Sequence, residues 1–109
     1  MAEIKLSRDA IEDLQKIKAY ITDELCSEQA AIHTVAKITG SIRRLADFPQ
    51  SGAPLASIVD LDTDHRFLSC GNYTAFYRYG DGVVFVSRVL YGRRDFMRIL
   101  FKQSDEFRE

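Results

Sequence analysis

The sequence predicts an α+β domain: an N-terminal strand, an antiparallel two-helix hairpin, then a three-stranded antiparallel meander, with the helices packed on one face of the sheet. Three observations carry that expectation. Two apolar stripes at helical spacing run through residues 8–26 and 27–48 with almost no loop between them, and amphipathic helices joined so tightly must lie side by side and antiparallel. Strand-like runs at 66–70, 73–79 and 83–91 are separated by Gly71-Asn72 and Gly80-Asp81-Gly82, both hairpin-turn chemistries. Finally, 109 residues of which 46% are apolar and 28% charged suit a single globular domain, 1–109, with a core of its own.

Each element has its own local reason. Residues 3–6, Glu-Ile-Lys-Leu, alternate polar and apolar side chains and read as a short strand within the first six residues. Ser7 can cap the first helix, with Asp9, Glu12 and Asp13 near its positive N-terminal end. Ile11, Leu14, Ile17, Ile21 and Leu25 form its buried stripe. Ser27 caps the second helix, whose stripe is Ala31, Val35, Ile38, Ile42 and Leu45. Gly40 costs about 1 kcal/mol against Ala inside a helix and is read as marking close approach to a neighbour. Pro49 ends the helix, and a connector containing Gly52 and Pro54 closes with Asp60, Asp62 and Asp64. Those alternating acids resemble a calcium loop, but His65 stands where the turn glycine belongs and Gly71 where the bidentate Glu belongs, so calcium is rejected.

The last meander strand is the most apolar and is expected to be central, with the N-terminal strand reaching it or the sheet edge. The second sheet face is then left concave and open. Phe96, Ile99, Leu100 and Phe101 form a short apolar segment, helical or irregular, that the domain or a partner must bury. Residues 104–109 carry three acids and one Arg and read as a solvated tail.

Composition excludes several classes. No apolar stretch approaches the ~18 residues of a membrane span, and the start lacks a signal-peptide apolar region, so a cytoplasmic protein without membrane partners is expected. Cys26 and Cys70 read as small apolar residues of a reducing compartment; Cys26-x6-His33 matches no zinc spacing, and no metal or cofactor is expected. The net charge of −1 hides an asymmetry: residues 1–64 hold 7 Lys+Arg against 11 Asp+Glu, whereas 65–103 hold 7 against 2. Six of the latter seven cations are arginine, the side chain suited to bidentate contact with phosphate or carboxylate, so an anionic partner is expected there. His33 and His65 are read as exposed polar residues.

The order of elements now resembles the RelE/ParE superfamily of bacterial toxins from type II toxin–antitoxin modules, over nearly the whole chain. The residues that carry the resemblance are Leu14-x2-Ile17-x2-Tyr20-Ile21, Ala30-Ala31, Leu45-x3-Pro49-x2-Gly52, Tyr73-x3-Tyr77-Arg78 and the run Val89-Leu90-Tyr91-Gly92-Arg93-Arg94-Asp95. The resemblance implies a toxin that arrests growth, of the kind used in plasmid stabilisation, neutralised by a cognate antitoxin in a hetero-oligomer. Members similar to RelE cleave mRNA on the ribosome without a metal, by attack of the 2′-hydroxyl on its own phosphate, which needs a base, an acid and cations for the developing charge. On that route Arg66, Tyr91, Arg93 and Arg94 are the catalytic candidates. Members similar to ParE poison DNA gyrase and need no nuclease residues.

The sequence leans toward gyrase. Asp60, Asp62 and Asp64 stand where ribosome-dependent members carry a basic cluster, Tyr73 stands where several hold an Arg, and Tyr91 stands where many end the strand in His. A pI near 6.1 is low for a protein that settles among ribosomal RNA. Arg78, Arg93, Arg94, Phe96, Arg98 and Phe101 are then expected to contact target or antitoxin. The ribosome-dependent endonuclease is the alternative, and a non-toxic interaction module the second alternative. A curved sheet that gathers Arg66, Arg78, Arg93 and Arg94 into one pocket underlies both toxin readings.

Overall fold

A computed structural model of the chain describes residues 1–60, 62–93 and 95–101. The chain runs β1 (Glu3–Leu6), α1 (Arg8–Leu25), α2 (Glu28–Arg43), a 3-10 turn (Arg44–Ala46), β2 (Ala53–Pro54), a second 3-10 turn (Leu55–Ser57), β3 (Arg66–Cys70), β4 (Tyr73–Gly80), β5 (Val83–Tyr91) and α3 (Phe96–Leu100). The sheet has the order β1-β5-β4-β3-β2, with β1 parallel to β5 and the remaining pairs antiparallel. The expected α+β architecture is therefore present, with the apolar β5 interior between β1 and β4, while β4 and not β5 takes the middle position. Sequence alone missed β2, a two-residue strand inside the connector.

Local chemistry fixes the boundaries. Ser7 accepts the Ala10 N–H at 2.9 Å and Ser27 the Ala30 N–H at 3.1 Å, so both helices carry the expected caps. Cys26 turns left-handed at φ 50° and starts the second helix within two residues. The β4–β5 hairpin turns on Asp81 and Gly82, both at positive φ, the geometry whose twist matches flanking strands.

Helices α1 and α2 cover one sheet face with Ile17, Ile21, Ile38 and Ile42 packed against Ala75, Tyr77, Val84, Val86 and Val89. Two members of the predicted stripe, Ile11 and Leu25, lie instead at the surface. They sit at the margins of α1, where the arc facing the sheet has ended. Gly40 is a second correction: open space surrounds the position a Cβ would take. The close approach is at Gly52, where a Cβ would lie 2.6 Å from both Phe67 O and Tyr77 Oη. Fully buried Tyr77 accepts the Gly52 N–H at 3.0 Å and donates to Pro49 O at 2.8 Å, tying the connector to the sheet.

A β-bulge gives β5 its shape. Tyr77 pairs with Val86 and Phe76 with Arg88, leaving Ser87 as the extra residue. Because side chains alternate faces, this insertion lets Val84, Val86 and Val89 all point at the helices. Beyond Leu6, the last β1 residue paired to β5, the edge of β5 has no strand neighbour, and α1 closes it. Ser7 Oγ donates to Ser87 O at 2.7 Å, and Asp13 accepts the Val89 N–H at 2.9 Å together with two Arg88 contacts of 2.8 Å.

Candidate functional site

The second sheet face is not left open, as the sequence reading expected. α3 folds back across it and stacks Phe96 on Phe76 with ring centroids 5.5 Å apart and planes 14° from parallel. Phe76 and its cross-strand neighbour Phe67 form the floor. The Arg93 guanidinium lies 5.0 Å above the Phe67 ring, a cation–π contact. Phe101 meets the His65 ring edge-on at 5.7 Å. Left-handed residues flank the turn into α3, Gly92 at φ 59° and Asp95 at φ 49°, and the Gly92 N–H anchors the turn on Asn72 O at 2.8 Å. One aromatic layer thus joins the sheet to α3, with guanidinium groups at its borders.

Polar groups extend this face. His65 lies 3.2 Å from the Thr63 hydroxyl through Nδ1 and 3.5 Å from Ser87 Oγ through Nε2. Arg78 makes a two-pronged pair with Asp64, both contacts 3.0 Å, with both side chains exposed. The Arg78 guanidinium holds the Asp64 carboxyl below its ordinary value by hydrogen bond and charge. Arg98 pairs with Asp95 at 3.2 Å. Among the described residues, no group of three metal-ligating side chains gathers, and no helix is long and apolar enough to cross a membrane.

A family model for the ParE toxin of the parDE type II toxin–antitoxin system matches residues 4–96. The chain belongs to the ParE toxin family. Its fold is similar to a chain of the chromosomal ParDE toxin–antitoxin system from P. aeruginosa, with TM-score 0.72 and 21% identity over 84% of this chain and 97% of that one. It is also similar to a chain of the RelBE2 toxin–antitoxin complex from Mycobacterium tuberculosis, with TM-score 0.57 and 20% identity over 83% of this chain and 96% of that one. At those identities the likeness is one of fold. Among curated proteins, none matches the chain.

In this ParE-family chain the predicted site residues divide between two faces. Arg93, Phe96 and Phe101 meet on the α3 face, Arg78 lies farther along β4 on the same face, and Arg98 sits on α3 itself. Arg66 is elsewhere: by register it shares the helix face with Tyr77, and it donates to Gly52 O at 2.7 Å and Gln50 O at 3.0 Å. Tyr91 also faces the helices, edge-on to Tyr73 at 5.5 Å. Arg94 lies outside the described residues. The single pocket expected for four arginines is therefore corrected for Arg66, which braces the connector. The bulge accounts for Tyr91, because the extra residue at Ser87 reverses which face each later β5 side chain takes.

His65 is the residue that sequence reading missed, and it is half-buried rather than exposed. No periodic signal could have found it, since its neighbours Ser87 and Phe101 lie far along the chain. Burial, with the Arg78 charge next, pushes the imidazole below its usual 6.5, while the Asp64 carboxylate opposes them. The unfolded state then binds the proton more readily. The stabilisation from keeping His65 neutral is complete above the unfolded value and is lost as pH falls from about 6.5 through the folded one. The urea midpoint is expected to drop between pH 7 and 5, and His65→Gln to flatten that drop; an unchanged slope in the variant would contradict the assignment. The Asp64 contribution is lost only at lower pH, below its ordinary 3.8.

Proposed function

We propose that this toxin of a type II toxin–antitoxin system acts in the cytoplasm by binding DNA gyrase, and that a cognate antitoxin neutralises it. The contact surface is the α3 face, with Arg78, Arg93, Phe96, Arg98 and Phe101 as its residues; Arg94, outside the described residues, is kept as a contact on its place in the sequence. One observation carries the choice of binding over cleavage: Tyr91, the candidate acid or base, lies on the opposite sheet face from Arg93, and Arg66 is engaged by backbone carbonyls. A metal-free RNA cleavage needs base, acid and cations within reach of one phosphate. An aromatic layer bordered by arginines suits a protein surface, where Arg and aromatic side chains carry most binding energy.

Membership of the ParE toxin family supports the gyrase target. A second reading, ribosome-dependent mRNA cleavage, draws support from His65 beside Ser87 on the same face as Arg78. Supercoiling by purified gyrase and mRNA cutting on translating ribosomes separate the two: inhibition of the first is expected, and codon-specific cutting that requires ribosomes would overturn the proposal. No toxicity on induced expression would favour the non-toxic interaction module. The Arg93→Ala/Arg94→Ala double variant is expected to lose growth arrest while its unfolding free energy stays within about 0.5 kcal/mol of the parent. Full killing by that variant would remove the arginines from the site.

A further inference from the structure

Away from α3, the same sheet face carries a cross-strand row whose parts would also suit a polynucleotide. Lys5 of β1 pairs in register with Phe85 of β5, and Phe85 with Arg78 of β4, so the three side chains stand side by side on the face opposite the helices. Phe85 keeps 42% of its surface in water, and Lys5 is exposed. An open aromatic ring with a cation on each side offers a base a surface to stack on and the flanking phosphates two partners. A hollow of about 240 Å³ opens beside the row, with Asp64, Arg78, Asp81 and Phe85 among its lining residues.

Asp64 closes this row. Its carboxylate accepts both prongs of the Arg78 guanidinium, each contact 3.0 Å, in the fork-to-fork geometry with which arginine otherwise grips a phosphate. The pair is no structural brace: the two side chains are 54% and 67% exposed, and exposed ion pairs contribute little to folding. Nor is it a chance meeting of two mobile groups. The Thr63 hydroxyl accepts the His65 N–H at 3.2 Å and the His65 carbonyl accepts the Leu55 N–H at 2.8 Å, so the residues on either side of Asp64 are fastened, while Arg78 stands within the β4 ladder. With Arg78 beside it the carboxyl is ionised at neutral pH. A phosphate arriving at Arg78 must therefore displace one anion and lie against it. A protein surface can meet the same row through apolar and cationic groups and leave the pair intact.

We infer that Asp64 is a specificity determinant of this face: by occupying the Arg78 fork it bars a single-stranded polynucleotide from the row of Lys5, Phe85 and Arg78 and leaves the face to protein partners. This deepens the protein-binding reading of the α3 face and rests on it for the kind of partner admitted, whereas the exclusion itself is measured directly on the purified chain.

The test is binding of a labelled single-stranded oligouridylate to the full chain at low salt, followed by fluorescence anisotropy. Asp64→Asn keeps the size of the side chain and removes its charge, and is expected to raise affinity about tenfold. It should also steepen the dependence of log affinity on log salt by about 0.7, the share of one added phosphate contact on a single strand. Asp81→Asn removes an equal charge from the same hollow but frees no guanidinium, and is expected to raise affinity less than about threefold. Adding Arg78→Ala to Asp64→Asn should return affinity to the parent level, and adding Phe85→Ala should remove most of the gain. The urea midpoint reports that each variant is folded, and Asp64→Ser takes the place of Asp64→Asn should that midpoint fall. No gain on removing the Asp64 charge, an equal gain with Asp81→Asn, or a gain that survives the loss of Arg78 overturns the inference. Inhibition of gyrase by the parent chain tests the target reading separately, whatever the oligouridylate does.

Discussion

Asp13→Ala is expected to destabilise the fold by about 3–5 kcal/mol, the cost of removing one partner from a buried, hydrogen-bonded ion pair. The Asp13 side chain is 8% exposed and the Arg88 side chain 26%, and the carboxylate accepts two guanidinium contacts at 2.8 Å and the Val89 N–H at 2.9 Å. Truncation leaves a part-buried guanidinium and a buried backbone donor without their acceptor where no strand protects the β5 edge. Asp13→Asn retains an oxygen for the Val89 N–H and should cost less, about 1–3 kcal/mol. The Asp13→Ala/Arg88→Met double variant removes the stranded charge and should recover part of the loss, while the Val89 N–H still lacks a partner. Urea unfolding of the parent, Asp13→Ala, Arg88→Met and the double variant gives the coupling energy directly. A loss below about 1 kcal/mol for Asp13→Ala would mean that water can reach this edge, and that α1 is held by its apolar stripe alone.

That latch also shows where sequence reasoning stops. The caps, the hairpin of helices, the turns and the meander strands were legible because each depends on neighbours a few positions away, whose periodicity or turn chemistry is written locally. Asp13 was legible only as an acid near a helix N-terminus, since its partners Arg88 and Val89 come from the far end of the chain. The bulge was invisible, because an extra residue in a run of β-branched and apolar side chains leaves their composition unchanged. Yet that one residue decides that Tyr91 looks toward α1 and not toward Arg93. Arginines were legible as a cluster in sequence, but most of their partners were not: Arg78 is held by Asp64, Arg88 by Asp13, Arg98 by Asp95, Arg66 by two backbone carbonyls and Arg93 by the Phe67 ring. The candidate site was thus readable in its residue types and only partly in its geometry.

Phe76→Ala is expected to cost about 3–5 kcal/mol and to release α3 from the sheet. Phe76 is fully buried, with Phe67 beside it and Phe96 stacked above. A five-residue helix has no stability of its own in water, so α3 exists because it is docked. Phe96→Ala removes the same stack from the helix side. Because Phe96 is only half-buried, its global cost should be smaller, about 1–2 kcal/mol. Hydrogen exchange separates the two effects: the Ile99 and Phe101 amides, bonded to Asp95 O and Met97 O, should lose protection in both variants. The β4 and β5 amides should lose it only in Phe76→Ala. If α3 presents Arg98 and Phe101 to the target in the docked position, Phe96→Ala should lose toxicity while keeping its sheet. Full toxicity with unprotected α3 amides would mean that the helix contributes sequence, not shape, to that surface.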